Sequence, residues 1–128
     1  MSLPAALPSA GDDMAYRPAG LHVLADLHGV QAAALRNAAA LEALLREAAL
    51  AADAHILHGH FHTFGGGGGV TGVLLLAESH ISIHTWPETG FVAADIFMCG
   101  KARPDVALEI IERALAPASR RVRHIERA

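Results

Sequence analysis

Cysteine occurs once in the 128 residues, as Cys99. That excludes an internal disulfide and a thiolate-cluster metal site, and it makes a reducing cytoplasm the natural setting. No apolar run approaches the roughly eighteen residues that cross a bilayer, although 52% of the chain is apolar. The opening MSLPAALPSAGDD lacks the basic start and apolar block of a secretory signal, so a soluble, unexported protein is expected. Ten Lys and Arg face thirteen Asp and Glu and gather only in the tail RRVRHIER. The basic stripe that would track phosphates is missing, which argues against nucleic acid as a partner. The length suits one domain with one core. So high an apolar fraction in so small a domain leaves apolar surface uncovered, and a homodimer is the expected remedy.

Residues 1–19 mix Pro, Gly, Ser and Asp without periodicity and are expected to form a flexible leader, with residues 20–128 as the domain. LHVLADLHG alternates as a strand closed by Gly29. From Val30 to about Ala52, with Leu41, Leu44, Leu45 and Ala48 at helical spacing, the pattern predicts one long amphipathic helix. HILHGHFHTF reads as a second strand, with His58, His60 and His62 on one face and Leu57, Gly59 and Phe61 on the other. After five glycines at residues 65–69, VTGVLLLAES and HISIHTW read as further strands. In the latter, Ile81 and Ile83 alternate with His80, Ser82 and His84, giving one apolar and one chemical face. FVAADIFMC is apolar nearly throughout and suggests a strand buried on both faces. Pro104 and DVALEIIERAL predict a second helix with Val106, Ile110, Ile111 and Leu115 on one stripe, and RRVRHIE a last short strand. Strands interrupted by two helices predict an α/β (α+β) two-layer sandwich, with both helices on one face of a mainly antiparallel sheet.

Several chemistries fit the polar residues. Three alternating histidines at 58, 60 and 62 project in one direction and can bind zinc, which would make the chain a non-catalytic, histidine-lined metal-binding module. More often such histidines simply line a polar, solvated face. The glycine run invites comparison with phosphate-binding loops, but no Lys-Ser or Lys-Thr follows it and the next element is a strand. A mobile loop over a pocket suits it better. Cys99 with His84 suggests a thiol nucleophile and its base, against a plain reading of Cys99 as a small buried hydrophobe.

The stretch ESHISIHTWPE, residues 78–88, followed eleven residues later by the cysteine of DIFMCG, resembles the bacterial and archaeal S-adenosylmethionine decarboxylases. These are small pyruvoyl enzymes made as self-cleaving proenzymes. The resemblance runs from Leu21 to the C-terminus and includes GLHVLADLHG, FHTF, GVTGVLLLAESHISIHTWPE and FMCG.

It implies cleavage between Glu78 and Ser79. A serine hydroxyl attacks its own preceding carbonyl when the backbone is strained, and the amide becomes an ester. Removal of the Ser79 α-proton then expels the ester and leaves dehydroalanine, which yields a pyruvoyl group at position 79 as the only cofactor, with no metal. By the resemblance His84 is that base, Thr71 supports processing where a serine is common, and Cys99 is the proton donor in turnover. Phe64 is implied to stack on adenine and Glu88 to hold the ribose hydroxyls. The implied activity is decarboxylation of S-adenosylmethionine to supply aminopropyl groups for spermidine and other polyamines, in a dimer with sites at or near the junction. The family usually has a bulkier, proline-containing loop where residues 65–69 stand, so a pyruvoyl-dependent ornithine or arginine decarboxylase is the alternative.

Overall fold

The computed structural model describes residues 19–128; the expected leader lies, apart from Ala19, outside them. Six strands form one sheet: β1 (Gly20–His28), β2 (Ile56–Thr63), β3 (Val70–Leu76), β4 (Ser79–Trp86), β5 (Phe91–Cys99) and β6 (Ser119–Arg127). Their order is β2-β3-β4-β5-β1-β6, and every neighbouring pair is antiparallel. Two helices, α1 (Ala38–Ala51) and α2 (Pro104–Leu115), pack on each other and on one face of the sheet. This is the two-layer sandwich that the element pattern predicts.

Alternation decides what each strand buries. Val23, Ala25 and Leu27 of β1, Leu74 and Leu76 of β3, and Ile81 and Ile83 of β4 are shielded from solvent. They meet Leu41, Leu45 and Ala48 of α1 and Leu108, Ile111 and Leu115 of α2. Pro104 starts α2, where its missing N–H costs nothing. Val106 and Ile110 sit at the margins of the buried stripe.

Four expectations are corrected. The long first helix is broken: Ala32–Leu35 is a 3₁₀ turn, and α1 begins only after Asn37, whose side chain caps it by accepting from Ala40 N–H at 3.0 Å. β5 is fully buried on one face only, because both helices lie on that side and leave Phe91, Ala93, Asp95, Phe97 and Cys99 half-buried on the other. On β2 a bulge between Ile56 and His58 turns Leu57 outward, so only Gly59 and Phe61 of its expected apolar face point inward. The last strand is not short: β6 pairs along all of β1.

The five glycines form the tip of the β2–β3 hairpin, closed by Phe64 N–H to Gly69 O at 2.9 Å and Gly68 N–H to Gly65 O. A Cβ on Gly69 would fall 1.9 Å from the Thr85 carbonyl, so only glycine lets this tip press against β4. The loop is therefore anchored to the sheet at its Gly69 end, while Gly65, Gly66 and Gly67 stay exposed. Arg36 holds it from outside by donating to Gly67 O.

Candidate active site

β3 and β4 are joined by only two residues, Ala77 and Glu78. Such hairpins usually take positive φ within the loop, but neither loop residue does so here. The reversal is absorbed by the next residue: Ser79 has φ 150, a region otherwise left to glycine and worth about 1–3 kcal/mol of strain. The Glu78 carbonyl, one bond before it, accepts from the Cys99 backbone N–H at 3.2 Å and from Cys99 Sγ at 3.1 Å. Two donors from the end of β5 thus converge on one carbonyl oxygen beside a strained serine. The Glu78 carboxylate is turned the other way, accepting from His55 N–H at 2.9 Å and lying 2.6 Å from His55 Nδ1. Burial pushes the Glu78 carboxyl up, but the hydrogen bonds from His55 outweigh it and leave the group below its ordinary range.

The remaining candidates gather at the other end of β4. Phe64, Thr71, His84 and Glu88 line one cavity of about 360 Å³ with Gly68, Gly69, Thr85 and Trp86, at the lower end of ligand-pocket volumes. Thr71 Oγ1 lies 3.1 Å from His84 Nδ1 across the β3–β4 register. Thr85, inward, donates to Leu35 O at 2.7 Å and accepts from Val70 N–H at 2.8 Å, fixing the strand beneath His84. Trp86 stacks on Phe91 with ring centroids 5.1 Å apart.

Ser79 and Cys99 are therefore brought together, as are Phe64, Thr71, His84 and Glu88, but the two sets are not. His84 is five residues along the same strand from Ser79, roughly 16 Å at the usual rise of about 3.3 Å per residue. Within one protomer it cannot reach the serine.

On the open face, outside both sets, Asp95 joins three strands. His22 Nε2 is 2.7 Å and His80 Nε2 3.3 Å from Asp95 Oδ2, and Ser82 Oγ donates to Oδ1. Among the described residues this is the one group of three whose ligand atoms converge as a metal would require, whereas His58, His60 and His62 are simply exposed on β2. Arg127 donates to His22 Nδ1 at 3.2 Å, so Nε2 of that ring carries the proton shared with Asp95. Sequence reasoning missed this cluster and His55, since both depend on strand register.

Burial raises the Asp95 pKa, but the hydrogen bonds from His80, Ser82 and His22 overcome it and hold the carboxyl well below the usual range. Its folded value being depressed, the stabilisation is complete above the unfolded carboxylate value of about 4 and is lost as pH falls below it. Asp95→Asn is expected to cost about 2 kcal/mol at neutral pH and to flatten the acid limb. Thermal melts from pH 7 to 3 on both proteins check this.

The sequence profile described as S-adenosylmethionine decarboxylase matches residues 21–128. An S-adenosylmethionine decarboxylase proenzyme of Sulfurihydrogenibium sp. is 48% identical over 99 residues, 77% of this chain and 74% of that one. One from Methanococcus maripaludis is 40% identical over 109 residues, covering 84% and 88%. The crystal structure of the adenosylmethionine decarboxylase from Aquifex aeolicus superposes with a TM-score of 0.79 at 39% identity, over 85% of this chain and 90% of that chain.

Proposed function

This chain belongs to the S-adenosylmethionine decarboxylase family, and we propose that it acts as a proenzyme that cuts itself between Glu78 and Ser79 to generate a pyruvoyl cofactor. It is an enzyme, a decarboxylase, and its substrate is S-adenosylmethionine. The observation that carries the cleavage site is the Glu78 carbonyl, held by two Cys99 donors beside the strained Ser79.

Attack of Ser79 Oγ on the Glu78 carbonyl carbon makes a five-membered ring and puts negative charge on the carbonyl oxygen. The Cys99 N–H and S–H already point at that atom, so they stabilise the charge as it develops. Collapse breaks the C–N bond, relieves the backbone and leaves an ester between Glu78 and Ser79 Oγ. Loss of the Ser79 α-proton to a base expels the Glu78 carboxylate, and water then releases the nitrogen as ammonia. One polypeptide ends at Glu78 and the other begins at position 79 with a ketone. The pyruvoyl group supplies an electron sink for the carbanion left when carbon dioxide departs. Cys99, whose thiol proton is held at the Glu78 carbonyl, then serves as the acid that protonates the substrate carbon.

The base must come from elsewhere, because His84 of the same protomer lies too far along β4. A second copy supplies it. In a twofold dimer with its axis across the middle of β4, the Ser79 end of each strand meets the His84 end of the other, and two identical sites form. Each draws Ser79 and Cys99 from one protomer and Thr71, His84, Phe64 and Glu88 from its mate. Thr71 orients the His84 ring through the 3.1 Å contact. The open face of the sheet supports this pairing: Leu75 and Trp86 are 46% and 40% exposed there, with Phe97 and Val73 beside them.

Phe64, 51% exposed at the cavity rim, offers a flat surface for adenine, and the Glu88 carboxylate accepts from a ribose diol. Their presence on one cavity favours the nucleoside substrate over ornithine or arginine. Of the glycine loop, Gly68 and Gly69 line that cavity beside Phe64. The decarboxylated product carries the aminopropyl group used in polyamine synthesis. The single thiol suits a cytoplasmic setting, and no helix among the described residues is long and apolar enough to cross a membrane.

Intact mass of the purified protein together with carbon dioxide release from carboxyl-labelled substrates tests the reading. Two chains, the later one ketone-capped, with release from S-adenosylmethionine alone are expected. A single uncut chain, or release from ornithine or arginine only, contradicts it.

A further inference from the structure

His55 gives three polar groups to the two residues that precede the cleavage site. Its carbonyl accepts from Ala77 N–H at 2.9 Å, its own N–H donates to Glu78 Oε1, and its Nδ1 meets Glu78 Oε2. One residue at the entrance to β2 thus grips both oxygens of the Glu78 side chain, while Cys99 at the end of β5 holds the Glu78 carbonyl from the other side. Held at both ends, Glu78 cannot rotate to let the Ser79 backbone relax toward an ordinary strand conformation.

Resting on the cleavage site proposed above, we infer that His55 is a positioning residue for self-cleavage: its imidazole locks Glu78 so that the carbonyl to be attacked stays on the Cys99 donors. The role ends with the cut. Once the bond breaks, Glu78 is a chain terminus no longer joined to the reacting group, so His55 has no part in turnover. Nor is it a pillar of the fold, because an imidazole 78% exposed contributes little to global stability through such a pair.

The charges agree with this assignment. The hydrogen bond and charge of Glu78 raise the His55 pKa against the opposing effect of burial, and Asp53 adds a smaller contribution. Asp53 is the other charged group facing His55, and it is itself paired with Arg103 at 3.4 Å. Below the raised His55 value the grip is charge-assisted; as pH rises through that value the added strength is lost.

Cell-free synthesis followed by a timed chase on gels measures cutting of wild type, His55→Ala and His55→Asn. The Asn side chain places an amide nitrogen where Nδ1 stands. His55→Ala is expected to slow cutting about fivefold, His55→Asn to restore most of the rate, and fully cut enzymes to turn over S-adenosylmethionine alike. The wild-type advantage over His55→Ala should shrink as pH rises, while that of His55→Asn should not. Cutting of His55→Ala at the wild-type rate overturns the inference, as does failure of Asn to rescue or an equal loss of turnover. If wild type itself is never cut, it is instead the cleavage site that fails.

Discussion

Ser79→Ala is expected to leave a single uncut polypeptide with no measurable decarboxylation. The methyl group cannot attack the Glu78 carbonyl, so no ester, no chain break and no ketone follow. Without the electron sink the carboxylate departs only at the solution rate, and the loss is at least about 10⁶-fold, the low end of enzymic accelerations. The fold should survive, since alanine at φ 150 is strained no more than serine and the carbonyl keeps both Cys99 donors. Intact mass, carbon dioxide release and a thermal melt on one preparation check all three parts.

Cys99→Ala is expected to separate processing from turnover. The backbone N–H that holds the Glu78 carbonyl at 3.2 Å remains, and the thiol it loses is a weak donor. Self-cleavage should therefore slow by only about tenfold, the worth of one weak hydrogen bond, and still run to completion. Turnover depends on a proton delivered to carbon, and removing a positioned acid costs roughly 10²–10⁴-fold. The mature variant should carry its ketone and bind substrate but release carbon dioxide slowly. Equal activity per ketone in the variant would remove Cys99 from the catalytic step.

Much of the architecture is readable from local pattern, and the misreadings share a cause. Ile81 and Ile83 announce the buried face of β4 because alternation is a property of a single strand. FVAADIFMC misleads because apolar composition cannot say how many layers cover a strand; here helices cover one side and leave the other open. Asn37 is a legible helix start inside an alanine-rich run whose other residues all favour continuation. The bulge that exposes Leu57 leaves no mark in a period of two.

The site divides in the same way. Ser79, His84 and Cys99 stand out through the motif resemblance, whereas their division into two sets shows only once Ser79 and His84 are placed five residues apart on one strand. His55 with Glu78, 23 residues apart, and His22 with Asp95, 73 apart, follow only from the register of strands that no short window contains.

The shared site is tested most directly by making Ser79→Ala and His84→Ala chains together. Alone, neither should yield a pyruvoyl-capped fragment of residues 79–128, one for want of the hydroxyl and the other for want of the base. In a mixed dimer, one of the two sites joins the intact Ser79 of the His84→Ala chain to the intact His84 of the Ser79→Ala chain. Mass spectrometry of the co-expressed pair should therefore find that capped fragment, carrying the His84→Ala mass. Its absence from mixed dimers, or its appearance from His84→Ala chains alone, would contradict a site built from two copies.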